Sequence, residues 1–159
     1  PLFWGSVGSG KSYMAACVAN ELIKQGADVK MTNFATVLND LFNCEDKNEY
    51  IRSLCRYSLL ILDDLGIERN TEYSLENLFN VIDARYVSGK AMIITTNLNL
   101  EELKNQKQLS LKRIYDRVLE RCIPVCVSEN DFRKDNRVEA KVKFGKIING
   151  GKMDEEKYE

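Results

Sequence analysis

The chain has 159 residues, 44% of them hydrophobic, with 23 basic and 24 acidic side chains and a formal net charge of −1. That length and apolar content suit one globular domain with a core of its own, and no run approaches the ~18 apolar residues of a membrane-spanning helix. Near-neutral charge argues against a strong nucleic-acid binder, and five cysteines without C-x-x-C spacing in a chain with no histidine offer neither a zinc site nor a Cys-His nucleophile. The cysteines read as reduced, buried thiols of a cytoplasmic protein.

Pro1 is not a methionine and stands four residues before the first motif, as expected of a fragment lacking an N-terminal region. LFW (2–4) reads as a short strand. The next eight residues, GSVGSGKS (Gly5–Ser12), are too rich in glycine and serine for a helix or strand, and they match G-x-x-x-x-G-K-[ST]. In such a loop the glycines let the backbone curl so that its N–H groups face a phosphate chain. Lys11 is then expected to reach the β- and γ-phosphates, and Ser12 to offer a hydroxyl to Mg²⁺. Residues 13–25 read as a helix stopped by Gly26, which puts the loop on a helix N-terminus whose amides and dipole favour anions. The expected nucleotide contacts are Gly5, Ser6, Val7, Gly8, Ser9, Gly10, Lys11, Ser12 and Tyr13.

DVKMTN (28–33) reads as a second strand, and 34–57 as one or two helices with Asn- and charge-rich breaks. LLILDD (59–64) is a continuous apolar run of the kind buried on both faces of a parallel sheet. Ligands of such sheets bind outside the carboxyl ends of the strands. The run ends there in Asp63, placed to hold a Mg²⁺ shell shared with Ser12, and Asp64, free to orient an attacking water. Residues 71–88 put Leu75, Leu78, Phe79, Ile82 and Tyr86 on one helical face, closed by Ser88-Gly89. The strand AMIITT (91–96) is followed by Asn97, an uncharged group able to hydrogen-bond a γ-phosphate or the water; a turn-forming Asn is the other use of that position. Ser110 is expected to cap a helix over 111–121, with Leu111, Ile114, Val118 and Leu119 inward. Arg113, Arg117 and Arg121 share one face of it, interleaved with Asp116 and Glu120. IPVCV (123–127) is the last strand, and Pro124 suits a sheet edge. The alternation predicts an α/β fold with a five-stranded parallel sheet between layers of helices.

Charge is unevenly spread: residues 1–103 carry 9 basic and 14 acidic groups, residues 104–146 carry 12 and 6. The basic third predicts weak, salt-sensitive affinity for single-stranded DNA, with Phe34 or a nearby aromatic as a stacking platform. The expected division is a core over 1–145 and a flexible polar tail over 146–159.

GSVGSGKS, LLILDDLGIE, IITTN and RIYDRVLERCIPV, in this order and spacing across about residues 2–137, resemble the DnaC/DnaI/IstB group of AAA+ ATPases, bacterial and phage helicase loaders with their transposition relatives. The resemblance implies a P-loop NTPase fold of the AAA+ type with a reduced or absent helical lid, since only 22 residues follow Arg137. It implies Walker A at Gly5–Ser12, Walker B at Asp63 and Asp64, sensor 1 at Asn97, an arginine finger at Arg117, and sensor-2-like groups at Arg133 and Arg137 of FRKDNR. It further implies ATP/ADP and Mg²⁺ as ligands, slow assembly-dependent ATP hydrolysis, head-to-tail self-association into a ring or spiral, and action on single-stranded DNA. A replicative DNA helicase would be the partner, through the missing N-terminal region. An IstB-like transposition helper is the alternative. A small-molecule kinase fits less well, because no lid insertion separates the P-loop helix from LLILDD, and a GTPase is disfavoured because no N-K-x-D is present to read guanine.

Overall fold

The molecule is described from a computed structural model over residues 1–66 and 71–127. Arg133, Arg137, any lid after the last strand and the boundary near residue 145 lie outside the described residues. The elements are β1 (Leu2–Trp4), α1 (Lys11–Lys24), β2 (Val29–Asn33), α2 (Phe34–Asn43), α3 (Lys47–Leu54), β3 (Leu59–Leu65), α4 (Glu72–Val87), β4 (Ala91–Thr96), α5 (Leu100–Lys104), α6 (Leu109–Arg121) and β5 (Pro124–Cys126).

The sheet has the order β2-β3-β4-β1-β5, with every neighbouring pair parallel. The run LLIL becomes a central strand because both of its faces are covered. Leu60 and Leu62 face the cluster built by α2 to α6, while Leu59 and Ile61 face Ala15 and Ala19 of α1. Since β1 lies between β4 and β5, the chain leaves it in one direction to reach β2 and returns through β3 and β4. The carboxyl ends of β3, β4 and β1 thereby come side by side, at a switch point of the kind where such sheets bind ligands. Pro124 is on the edge strand, as its missing N–H requires, and all of β5 is exposed.

Some local expectations are made definite and others are corrected. Region 34–57 resolves into two helices, capped by Asn33, which accepts from the Thr36 N–H at 2.9 Å, and Asp46, which accepts from the Glu49 N–H at 3.0 Å. Phe34 shares the inward stripe of α2 with Val37 and Leu41 and is buried in the core, so it cannot stack on a base. Ser110 caps nothing: α6 starts at Leu109, two residues earlier than expected, with Gln108 before it; Tyr115 is buried beside Leu111, Ile114 and Val118, and Leu119 packs half-buried against the same core. Cys17 and Cys126 are exposed rather than buried, because α1 turns Ala15 and Ala19 inward and β5 is solvent-facing. A short helix, α5, stands where the sequence reading placed none, held by a reciprocal cap between Asn99 and Glu102.

Arg85 of α4 is fully buried among apolar side chains. Its guanidinium donates to the carbonyls of Leu54 (3.3 Å), Tyr57 (2.8 Å), Ser58 (3.1 Å) and Ala91 (2.5 Å). One planar fork thus ties the end of α3 to the starts of β3 and β4. Burial lowers its pKa from the ordinary value, and an arginine remains protonated there. Among the described residues no helix is long and apolar enough to cross a membrane.

Candidate nucleotide-binding site

β1 ends by delivering Gly5 into the loop. Its φ is +148°, and a Cβ there would meet the Val127 carbonyl oxygen at 2.6 Å, so the position accepts glycine alone. Gly10, at φ +93°, turns the chain directly into α1, whose first residue is Lys11. The helix therefore opens onto the loop with its first-turn amides, where an anion is favoured. Ser9 is buried and its Oγ has no hydrogen-bond partner. A buried hydroxyl left in this state suits an anionic ligand that accepts from it. Ser12, Tyr13 and Val7 are exposed at the mouth of the loop.

Lys11 is only 6% exposed, and its Nζ donates to the Gly5 carbonyl (3.0 Å), the Ser6 carbonyl (2.8 Å) and Asn97 Oδ1 (2.7 Å). Asn97 Nδ2 in turn donates to Asp64 Oδ1 at 2.8 Å. Three stretches far apart in sequence thus form one polar chain, Lys11 to Asn97 to Asp64. Of the two readings of Asn97, this one adds a site contact to its place at a turn.

The two acids sit on a bulge. Pairing runs from Leu62 opposite Ile94 to Leu65 opposite Thr96, so that Asp63 and Asp64 together face Thr95. Asp64 has φ +61°, a left-handed conformation costing roughly 1–2 kcal/mol for a residue with a Cβ and somewhat less for Asp. The bulge re-aims the pair, leaving Asp63 half-buried and Asp64 exposed. Thr95 was missed from the sequence, although a polar pair, Thr95-Thr96, ending an otherwise apolar buried strand was a signal that two hydroxyls needed partners there.

Arg117 lies away from this loop. Its Nε pairs with Asp83 Oδ1 of α4 at 2.5 Å, and its guanidinium lies over the Phe79 ring, 4.6 Å from the centroid. Arg113 covers the same ring at 4.9 Å, and Arg121 donates to the Gly89 carbonyl. The arginine face of α6 is therefore packed against α4 and not balanced within its own helix. Glu120 accepts from the Tyr86 hydroxyl at 2.7 Å, which raises the pKa of that phenol. A separate cleft of about 400 Å³ lies between α4 and α6, lined in part by Glu72, Glu76, Phe79 and Arg113; no P-loop residue borders it.

A phosphate-binding loop on a helix N-terminus, paired acids at the end of the central strand β3 and a polar residue after β4, the strand between β3 and β1, define a P-loop ATP-binding domain of the AAA+ type. The chain belongs to the IstB-like ATP binding protein family, whose sequence pattern matches residues 2–140. It is 35% identical over 120 residues to YdaV of Escherichia coli K12, covering 73% of this chain and 47% of that protein. It is 28% identical over 122 residues to the replicative helicase loader DnaC of Escherichia coli K12, covering 74% and 49% respectively. The chain thus spans about half the length of these relatives. Among solved structures it is similar in fold to the crystal structure of DnaI, with a TM-score of 0.67, 23% identity, and coverage of 82% of this chain and 71% of that one.

Proposed function

We propose that this chain is the ATP-hydrolysing module of a cytoplasmic helicase loader, acting in DNA replication on single-stranded DNA and a replicative helicase. The observation that carries the hydrolytic part is the hydrogen-bonded chain from Lys11 through Asn97 to Asp64, which links the phosphate-gripping group to the acid that would orient water. Gly5–Tyr13 would surround the phosphates. Ser12 and Asp63 would hold Mg²⁺. The described residues hold no cluster of three or more His, Cys, Asp or Glu able to take a metal alone, in keeping with an ion that arrives on the nucleotide's phosphates. Once bound, Mg²⁺ would neutralise charge developing on the phosphates. Asn97, hydrogen-bonded to both Lys11 and Asp64, would sense the terminal phosphate. Arg133 and Arg137 are retained as candidate nucleotide contacts from the resemblance.

Helicase loading is favoured by the likeness to DnaC. The kinase reading is disfavoured because α2 and α3, the segment from which a lid over a second substrate would have to come, are tied into the core through Val37, Leu41, Ile51 and Leu54. The transposition reading uses the same site with a different partner. Two measurements test the proposal. Calorimetry should show Mg·ATP binding by the parent chain and loss of most affinity in Lys11→Ala, where a desolvated charge-assisted contact is removed; equal affinities would refute the P-loop assignment. A pull-down with the full-length protein should retain replicative helicase, with ATP-dependent, salt-sensitive binding of single-stranded DNA. Retention of a transposase instead would move the chain to the transposition branch.

A further inference from the structure

Thr95 is 1% exposed and stands opposite the bulge that carries both acids. Its Oγ1 is 2.8 Å from the Asp64 backbone nitrogen and 2.6 Å from Asp63 Oδ1. The directions are forced by chemistry. An N–H only donates and a carboxylate only accepts, so the hydroxyl accepts from Asp64 and donates to Asp63. No side chain of similar size lacking a hydroxyl does both. Thr96, next along the strand, bridges the other side of the bulge: its Oγ1 donates to the Leu65 carbonyl at 2.6 Å and accepts from the Leu98 N–H at 3.1 Å. Alternation puts Thr95 with Ile93 on the face of the P-loop helix, and Thr96 with Ile94 on the opposite face.

We propose that Thr95 is a positioning residue for both acids, fixing the Asp63 carboxylate for Mg²⁺ and the left-handed backbone of Asp64 for the attacking water through one hydroxyl. The proposal rests on the ATP-hydrolysing reading above. Outer partners of metal-binding groups commonly contribute about 10- to 100-fold in metal affinity or activity. Lys11, which grips phosphate without metal, is held by the Gly5 and Ser6 carbonyls as well as by Asn97.

The test measures ATP affinity with Mg²⁺ and with EDTA, together with kcat, for the parent, Thr95→Val, Thr95→Ser and Thr96→Val. Thr95→Val should lose about 10- to 100-fold in the Mg²⁺-dependent gain in affinity and in kcat, with its affinity in EDTA within about twofold of the parent. Thr95→Ser keeps the donor and acceptor and should restore both to within about threefold. Thr96→Val should lower thermal stability while keeping the Mg²⁺ gain. Should Thr95→Val not fold, Thr95→Cys, with its weak donor, takes its place. Parent-like Mg²⁺ gain and kcat in Thr95→Val, failure of Thr95→Ser to restore them, or an equal loss in Thr96→Val would each overturn the assignment. A parent that binds no ATP would instead remove the reading beneath it.

Discussion

Asp63 and Asp64 are adjacent in sequence yet differ in every physical respect. Asp63 is half-buried and accepts from Thr95, whereas Asp64 is exposed, left-handed and in contact with Asn97. The difference predicts separable phenotypes. Asp64→Asn should keep the backbone, since Asn tolerates positive φ as Asp does, and its amide oxygen can still accept from Asn97. It should therefore bind Mg·ATP normally while phosphate release falls at least about tenfold. Asp63→Asn should weaken the Mg²⁺ dependence of binding itself. Titration of ATP against Mg²⁺ and a steady-state phosphate assay separate the two; normal turnover by Asp64→Asn would show the roles to be wrongly assigned. Both acids were legible in LLILDD as a strand end. Their different environments were not, because a bulge depends on the register of a partner strand 31 or 32 residues away.

α4 shows how an element is placed by one residue that periodicity does not mark. The sequence reading put Leu75, Leu78, Phe79, Ile82 and Tyr86 on one helical face; Leu75, Leu78 and Ile82 are buried, while Phe79 and Tyr86 are half-buried beneath the arginines of α6. The remaining buried positions are taken by Ser74, Asn77, Val81 and Arg85. A charged residue on a core face is invisible to a hydrophobic pattern; only the four carbonyls converging on Arg85 make it tolerable there. Arg85→Met should leave those carbonyls without their donor and cost roughly 3 kcal/mol, with Arg85→Lys intermediate because an ammonium cannot span the same fork. Urea unfolding followed by far-UV circular dichroism measures it. An Arg85→Met protein as stable as the parent would mean that the carbonyls find water instead.

At the scale of the whole molecule, the open question is assembly. Arg117 lies on its own α4, paired with Asp83, so a role at a neighbour's γ-phosphate requires it to leave that contact or to act with it from the same surface. We propose that it acts across a head-to-tail interface of the kind that generates rings or spirals. Arg117→Ala should then bind ATP like the parent, since the pocket of its own subunit contains Lys11, Ser12, Asp63 and Asn97. Hydrolysis should fall toward the basal rate; trans-acting arginines elsewhere supply roughly 10³–10⁵, and a slow switch is expected to show less. Loss of its packing on Phe79 and Asp83 should cost about 1 kcal/mol or less in stability, as measured separately by denaturation. Mixing Arg117→Ala with Lys11→Ala should partly restore turnover at concentrations that permit association, because one subunit keeps a sound pocket and the other a sound arginine. Two folded, associated mutants that stay inactive together would leave Arg117 as a residue that only packs α6 on α4.

The sequence by itself determined the parallel α/β architecture, all five strands, and the positions of Gly5 to Ser12, Asp63, Asp64 and Asn97 in the loop and at the strand ends that form the candidate site. These are local signals: a glycine pattern with fixed spacing, apolar runs of strand length, and polar residues at their ends. Tertiary structure decided that Phe34 belongs to the core, that the arginine face of α6 lies on α4, and that Arg85 and Thr95 are structural centres. Each of these depends on which groups from distant segments meet a side chain, and a buried polar residue is defined by those partners rather than by its neighbours in the chain.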